Sequence, residues 1–343
     1  MNWRTTTDRV SPLWLGVVIS GTLIVIFLGV QTALGRWDAL RADGNLSPFA
    51  RVSTGVLRDT RLAIVHCLLI GYLPAAFLHA MRNGQRTVLT LQGALNCTRE
   101  ECVALAEAVT LNGRWLLITG LLGFLLAIVN PYVVPPVPSA PWSLSNWNPE
   151  VTWHRILGPP ILVCLCWLGY AVVTVSTRFS RLARELHHID LLDLSALAPF
   201  TRVGLTNSLL LIGAMSIASL MLIETGFGAT MLLIGGPALV VAVLALISPV
   251  RGVHRRIRQA KDAELRRING AIAANPIAAQ RLDADQRRGE LADLVAYRNL
   301  IDNVPEWPFT TSTYTRLILY MLIPVASWSL GLAAEEIVNR VLL

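Results

Sequence analysis

Two apolar stretches decide the fold: residues 204–224, GLTNSLLLIGAMSIASLMLIE, and residues 229–250, ATMLLIGGPALVVAVLALISPV. Each is long enough to cross the hydrocarbon core of a bilayer, which is about 30 Å thick and needs roughly 20 apolar helical residues. Only Thr225-Gly226-Phe227-Gly228 separates them, and such a short glycine-containing turn is typical of antiparallel neighbours. The sequence therefore predicts a hairpin of two membrane-spanning helices.

Five further segments have the same apolar character. They are 12–34, 62–81, 115–137, 156–176 and 315–334. The composition agrees, since 54% of the residues are hydrophobic and only 15% are charged, a balance that is unusual for a soluble protein. The first segment is longer than the apolar core of a secretory signal, so it is interpreted as an uncleaved span. We predict an all-α, polytopic transmembrane helical protein with about seven spans.

The chain is expected to divide into three parts. Residues 1–250 are the transmembrane region with six spans. Residues 251–312 are polar and predict a cytoplasmic helical hairpin, in which one helix continues span six as far as Asn275-Pro276 and a second covers roughly 286–303. Residues 313–343 contain the seventh span and an external C-terminus. The hairpin is interpreted either as an element that couples the cytoplasm to the membrane core or as a solvated connector.

The distribution of arginine predicts the orientation. Lys261 is the only lysine, and cytoplasmic loops are enriched in Lys and Arg. With the N-terminus in the cytoplasm, the arginine-rich hairpin falls inside, whereas loops 138–154 and 225–228, which have no Lys or Arg, fall outside. Segment 35–61 is the exception, a loop with five arginines on the predicted outer side. The arginine-heavy composition favours the inner membrane of a bacterium.

Metal, haem and disulfide chemistry find little support in the sequence. The five cysteines match neither a zinc motif nor a disulfide framework, so free structural thiols are predicted. His66 and His79 share the second predicted span but point about 140° apart on a helix, which disfavours a haem held by both. No cofactor and no metal site are expected.

Two short segments are predicted to lie at the inner membrane surface. In 96–111, Thr98 followed three residues later by Glu101 is a capping box at a helix start. The other segment is 186–200, in which Asp190 and Asp193 share one helical face. This pair resembles one of the two acidic motifs with which membrane prenyltransferases hold a magnesium diphosphate. This chain has only one such motif, so helix capping or pairing with arginine is the alternative.

Residues that interrupt the spans are candidates for a pathway or a gate. Each proline removes a backbone donor and frees a carbonyl, which lipid tolerates only where protein or a water-filled cavity satisfies it. Interrupted spans line substrate routes in transporters, although prolines also occur in spans for packing alone. The candidates are Pro74, Gly235, Gly236, Pro237, Pro324 and Ser327.

Polar residues near the membrane boundaries predict two charged openings. Ionisable groups inside spans are site candidates by default, and mixed charges at one level form either a selective vestibule or plain salt bridges between helix ends. For His66 the alternative is a neutral ring bonded to a neighbouring helix. The predicted outer vestibule comprises His66, Arg155, Glu224 and Glu335, and the predicted cytoplasmic mouth comprises Arg251, Arg255 and Arg256.

These patterns predict a channel or pore-like homo-oligomer that is gated through spans six and seven and the cytoplasmic hairpin. Its arginine-rich openings favour small anions, and the net charge of +7 beside the spans favours anionic lipids as partners rather than nucleic acid. Two alternatives remain open. One is a non-conducting membrane sensor or scaffold that binds a cytoplasmic partner, and the other is a lipid- or prenyl-modifying enzyme that uses Asp190 and Asp193.

Overall fold

The computed structural model describes the backbone of residues 11–35, 46–95, 97–133, 149–186, 189–222, 229–278, 284–309 and 311–342. The α-helices in these ranges are α1 Pro12–Ala33, α2 Leu46–Thr90, α3 Gln92–Leu95, α4 Arg99–Ala108, α5 Gly113–Val133, α6 Pro149–Leu182, α7 Ala198–Ser219, α8 Ala229–Ala278, α9 Ala284–Asp302 and α10 Thr311–Leu342. No strand occurs within them, and the predicted all-α class is confirmed.

Five helical stretches in the described part of the chain are long and apolar enough to cross a membrane. They are Pro12–Ala33, Thr60–Thr90, Arg99–Val129, Thr152–Leu182 and Leu194–Ser219. α10 contributes a shorter apolar stretch, Thr315–Ser327. Of the predicted sixth span, residues 229–239 lie outside the part whose side chains are described. The apolar helices support the predicted membrane class, and the number of seven spans stays a prediction.

Two helices extend well beyond the predicted spans. α2 has 45 residues and α8 has 50. The arginine-rich segment 35–61, expected to be a loop, is helical from Leu46 onward. Pro48 does not interrupt this helix, since it lies in the first turn, where a missing backbone donor costs little. α8 also runs through Asn275-Pro276, predicted to end it, and stops at Ala278. A proline so close to a helix end removes a single hydrogen bond of the last turn.

α2 lies at the centre of the helix packing. It contacts α1, α4, α6 and α7; α6 also contacts α5 and α8, and α7 also contacts α8 and α10. Glycines allow the closest approaches. A Cβ added to Gly71 of α2 would overlap Ser20 Oγ and the Gly16 carbonyl of α1, and one added to Gly123 of α5 would lie 2.6 Å from the Leu162 carbonyl of α6. Small residues that let backbones approach are a main source of helix association in lipid.

The buried core has two parts, one toward each end of the bundle. At the end that contacts α9, here called the α9 end, the core surrounds Phe179 and Phe200, whose ring centroids lie 5.8 Å apart. At the opposite end, here called the far end, it includes Val65 and Leu157. α1, α5 and α10 expose their apolar side chains, with Leu330 of α10 as much as 70% exposed. An apolar outer surface of this kind suits contact with lipid.

Candidate functional site

Two histidines from different helices meet at the far end. His66 of α2 and His154 of α6 have ring centroids 4.5 Å apart and planes tilted by 46°. His66 Nδ1 lies 2.7 Å from the Leu62 carbonyl oxygen. Because a carbonyl oxygen only accepts, His66 Nδ1 must bear a proton, and a neutral His66 therefore has its lone pair on Nε2. The Nδ1 atom of His154 is buried and has no hydrogen-bond partner among the described residues.

The predicted outer vestibule is described only in part. His66 packs against His154, which directly precedes Arg155 in α6. Glu224 lies outside the described residues, and Glu335 belongs to α10 at a position whose side chain is not described. Within the described residues no group of three His, Cys, Asp or Glu is arranged to hold a metal ion. The assembled part of the site is thus an imidazole pair between two helices.

Two of the predicted gate residues lie at a contact between α7 and α10. The hydroxyls of Ser216 and Ser327 hydrogen bond to each other. One helical turn away, the hydroxyl of the buried Ser219 lies 2.8 Å from the Ser216 carbonyl oxygen of its own helix and 3.2 Å from the Pro324 carbonyl oxygen, and these two acceptors share its single proton. Two hydroxyls of α7 therefore contact α10, one at the Ser327 side chain and one at the Pro324 backbone, as interhelical polar groups do in membrane bundles.

The other interruptions lie on α2 and α8. Pro74 sits inside the continuous helix α2, two residues after Tyr72, whose hydroxyl donates to the Leu210 carbonyl of α7 over 2.9 Å. Gly235-Gly236-Pro237 fall within the backbone of α8, and their side-chain surroundings lie outside the described residues. The structure therefore places Pro74 beside an α2–α7 hydrogen bond and leaves a role for 235–237 as a prediction.

The three arginines of the predicted cytoplasmic mouth do not form one group. Arg251 and Arg255 are exposed on α8. Arg256 is half-buried, and its Nη2 donates to the Leu186 carbonyl oxygen over 2.8 Å. Arg256 also lines a pocket of about 360 Å³ together with Asp190 and other residues of α8 and α9. Two of the three thus remain available to a solvated opening, and the third binds α8 to the segment that follows α6.

A clamp, formed by His254, Lys261 and Trp307, holds the segment 302–309 against α8. The ring of His254 stacks on Trp307 with centroids 4.2 Å apart, and its Nδ1 donates to the Glu306 carbonyl over 3.1 Å. Lys261 Nζ donates to the Asp302 carbonyl over 2.6 Å. Sequence reasoning missed this clamp, although a tryptophan between Pro305 and Pro308 was a visible signal.

α9 is fixed to α8 through a polar network around Glu264. Arg267 Nη2 donates to Glu264 Oε1 over 2.6 Å, and the Tyr297 hydroxyl of α9 donates to the same oxygen over 3.2 Å. The Arg267 hydrogen bond holds the pKa of Glu264 below its usual value. Loss of water around Tyr297, and then the adjacent carboxylate, raise the pKa of that phenol.

Asp190 and Asp193 use their side chains locally. Asp190 Oδ1 accepts from the Leu192 backbone N–H over 2.9 Å, and Asp193 Oδ1 accepts from the Ser195 N–H over 2.9 Å, capping the 3-10 turn Leu194–Leu197. The Ser195 hydrogen bond lowers the pKa of Asp193. Each carboxylate therefore has an oxygen engaged by the backbone, which fits the capping alternative.

Two cysteines depart from the prediction of free thiols. Cys97 and Cys102 are joined by a disulfide, with their Cα atoms 6.0 Å apart, so the prediction is wrong for this pair. Cys67, Cys164 and Cys166 are free, as predicted. Thr98 is the N-cap of α4, and the predicted capping box is present. Cys97 and Cys102 occupy the two positions, before the cap and at the fourth helical residue, whose side chains meet across such a helix start.

No protein-family model, no curated protein and no solved structure matches this chain. The contacts described above are therefore the basis for a functional proposal.

Proposed function

We propose that this chain is a multi-pass protein of the bacterial inner membrane with seven spans, a cytoplasmic N-terminus and an external C-terminus. In that arrangement residues 251–312 form a cytoplasmic helical hairpin. A homo-oligomer of the chain passes small anions, and α8, α10 and the hairpin gate the passage. The observation that supports this proposal is the continuity of α8 together with the clamp that connects it to α10.

α8 is long enough to act on both sides of the membrane boundary. Its 50 residues span about 75 Å at 1.5 Å per residue, more than twice the hydrocarbon thickness of about 30 Å. More than half of α8 must therefore lie outside the hydrocarbon. The backbone of α8 is helical from end to end, so we expect a force on its polar half to reach its apolar half, with Pro237 and Pro249 as the points at which the helix can bend.

The clamp extends this coupling to the last helix. Lys261 and His254 bind the backbone of the segment 302–309, and α10 begins two residues after Phe309. The rings of Trp307 and Phe309 are stacked 5.7 Å apart. A displacement of the α8–α9 pair is therefore expected to displace the start of α10 as well. This is the mechanical connection that a gate driven from the cytoplasm requires.

The choice of anions rests on charge at the α9 end. Arg251 and Arg255 are exposed on α8 directly after the predicted sixth span. Positive side chains at the mouth of a low-dielectric passage raise the local concentration of anions. Chloride is accordingly the first ion to test, and an Arg255→Glu variant should reduce its flux relative to that of sodium.

Ion flux through reconstituted liposomes tests the proposal. Trp307→Ala removes the ring that stacks on His254, which weakens the clamp and should change the chloride flux. Trp115→Ala, which removes a 55% exposed ring from α5, should leave the flux unchanged. Pro324→Ala should also alter the flux. Wild-type protein that passes no ion under any gradient, although folded and inserted, would refute the channel.

The second candidate is a non-conducting sensor or scaffold whose hairpin binds a cytoplasmic partner. The hydrogen bonds of Ser216 with Ser327 and of Ser219 with the Pro324 carbonyl favour it, because they use predicted gate residues to join α7 and α10. A scaffold predicts no flux, and it predicts that Trp307→Ala weakens capture of the partner by the hairpin. Measuring flux first separates the two candidates.

A further inference from the structure

We infer that Cys97 and Cys102 form a reversible dithiol–disulfide site on the cytoplasmic face of this protein, which exchanges electrons with soluble thiols and disulfides of that compartment. The cytoplasmic placement rests on the topology proposed above. The chemical pairing of the two sulfurs does not depend on that topology, nor on whether the protein conducts ions.

The capping box keeps the two cysteines together in either redox state. The Thr98 N–H donates to Glu101 Oε2 over 2.8 Å, and the Glu101 N–H donates to Thr98 Oγ1 over 3.3 Å. These bonds fix the chain direction at the start of α4 without help from sulfur. The Cα separation of 6.0 Å between Cys97 and Cys102 suits a disulfide, so the thiols stay within bonding reach after reduction.

The two sulfurs differ in their access to solvent. Cys102 is only 1% exposed, whereas Cys97 is partly exposed. Cys97 also lines an open pocket of about 430 Å³, together with Glu101, Leu105 and Glu185. An external thiol or disulfide can therefore approach Cys97 from the pocket. Cys102 is reached only through Cys97, which is the usual division between an attacking and a resolving cysteine.

The compartment favours a reversible role over a structural one. Cytoplasmic thiols are kept reduced, and the disulfides that do form there are mostly transient and act in catalysis or redox sensing. The capping box already holds the helix start, so the disulfide is not needed to form it. Cys67, Cys164 and Cys166 are free thiols and lie within the apolar stretches Thr60–Thr90 and Thr152–Leu182.

The exchange balances with a disulfide as the oxidant. The Cys97 thiolate attacks one sulfur of glutathione disulfide, a mixed disulfide forms at Cys97, and one glutathione thiolate leaves. The Cys102 thiolate then attacks Cys97 Sγ, displaces the second glutathione and closes the bond between the two cysteines. Together the cysteines lose two electrons and two protons, and glutathione disulfide becomes two thiols. Glutathione thiolate attacking Cys97 Sγ reverses the sequence.

Thiol labelling of the full chain tests the site. In a background with Cys67, Cys164 and Cys166 replaced by alanine, maleimide-polyethylene glycol should label both remaining cysteines after reduction and neither after glutathione disulfide, through repeated cycles. Cys102→Ala should leave glutathione attached at Cys97, and Cys97→Ala should slow the reaction of Cys102 at least tenfold. The inference is overturned if glutathione disulfide does not change the labelling. It is also overturned if Cys102 in the Cys97→Ala variant reacts as fast as Cys97 in the Cys102→Ala variant.

Sealed membranes separate this inference from the proposed function. Glutathione does not cross a bilayer readily, so it should react in inside-out vesicles and not in right-side-out vesicles. Reaction only in right-side-out vesicles overturns the cytoplasmic placement and the proposed topology with it. Reversible exchange in a protein that passes no ions supports the redox site while refuting the channel.

Discussion

Gly123→Ala on α5 tests the tight helix packing that the structure shows. A Cβ at this position would lie 2.6 Å from the Leu162 carbonyl oxygen and 2.7 Å from Val163 Cα of α6. Ordinary contacts of a Cβ begin near 3.4 Å. Because the opposing atoms belong to the backbone and not to a flexible side chain, α5 has to move away from α6 by roughly 0.8 Å to restore such contacts.

The loss of unfolding free energy in Gly123→Ala can be estimated from the contacts at the α5–α6 interface. Overpacking of this kind costs about 1–3 kcal/mol. The Trp167 indole N–H donates to the Leu116 carbonyl over 2.9 Å, and weakening that bond adds up to about 1 kcal/mol. Alanine offsets up to about 1 kcal/mol through its higher helix propensity. Because the last two contributions are similar in size and opposite in sign, we expect the free energy of unfolding to fall by about 1–3 kcal/mol.

A matched glycine on the facing helix provides the control. A Cβ added to Gly169 of α6 would meet no atom of a neighbouring helix within 4 Å in the described part of the chain. Gly169→Ala gains the same helix propensity without a clash, so its free energy of unfolding should stay equal to the wild-type value or rise. Both variants are measured by titrating detergent-solubilised protein with sodium dodecyl sulfate and following tryptophan fluorescence. If Gly123→Ala unfolds at the same point as Gly169→Ala, the tight α5–α6 contact is wrong.

Three further changes have defined outcomes. Thr98→Ala removes the acceptor of the capping box and should destabilise the start of α4 by about 1 kcal/mol, seen as faster amide hydrogen exchange there; Thr98→Ser should restore protection, and unchanged exchange in the alanine variant would contradict the cap. Since Arg267 lowers the pKa of Glu264, this pair stabilises the fold above the ordinary pKa of 4.5, and the contribution is lost as the pH falls through the lowered value. Because the Arg267 side chain is 71% exposed, Glu264→Gln should remove at most about 1 kcal/mol near neutral pH and flatten the acid limb of an unfolding curve; an identical acid limb would exclude the linkage. Ser219→Ala deletes the hydrogen bond to α10 and should cost about 0.6 kcal/mol in the same detergent titration, whereas a neutral result would mean that the bond contributes nothing.

The sequence predicts the properties of single residues better than their partners. An ionisable His66 inside an apolar segment was visible at once, because burial of such a group in lipid is costly. Its partner, His154, lies on a different helix, and only the adjacency of α2 and α6 brings the rings together. In the same way Ser327 was a candidate from its position in a span, whereas its contact with Ser216, 111 residues earlier, depends on the packing of α7 against α10.

The lengths of the helices show what hydropathy does not predict, namely how far a helix continues beyond its apolar part. An apolar window reports the part of a helix that suits lipid, so it located 62–81 within α2. It does not report the polar turns that continue the same helix, so hydropathy predicts a loop for Leu46–Arg61, where the structure has a helix. Helix propensity differs by less than about 1 kcal/mol per residue among ordinary residues, and tertiary contacts decide how far a polar helix extends.

The disulfide was missed for a different reason, because its signal was present. The capping box at Thr98 and Glu101 was recognised, and it fixes which residues stand before the cap and at the fourth helical position. Those residues are Cys97 and Cys102. Zinc and disulfide motifs are recognised from the number of residues between cysteines, and this number does not show where the side chains lie. The register of the helix start does show it, because it places the side chains of Cys97 and Cys102 next to each other.

The helix contacts are the same in either orientation of the protein in the membrane, so the orientation rests on arginine alone. Residues 251–312 carry ten arginines and Lys261, and the exceptional segment opposes them with five arginines that also lie close to predicted spans. Arg251 and Arg255 follow the predicted sixth span directly and are exposed. The hairpin should therefore prevail over the segment before α2. Labelling of Cys97 tests this orientation. A thiol reagent that cannot cross a sealed membrane should reach the Cys97 pocket from the cytoplasmic side only if the hairpin determines the orientation.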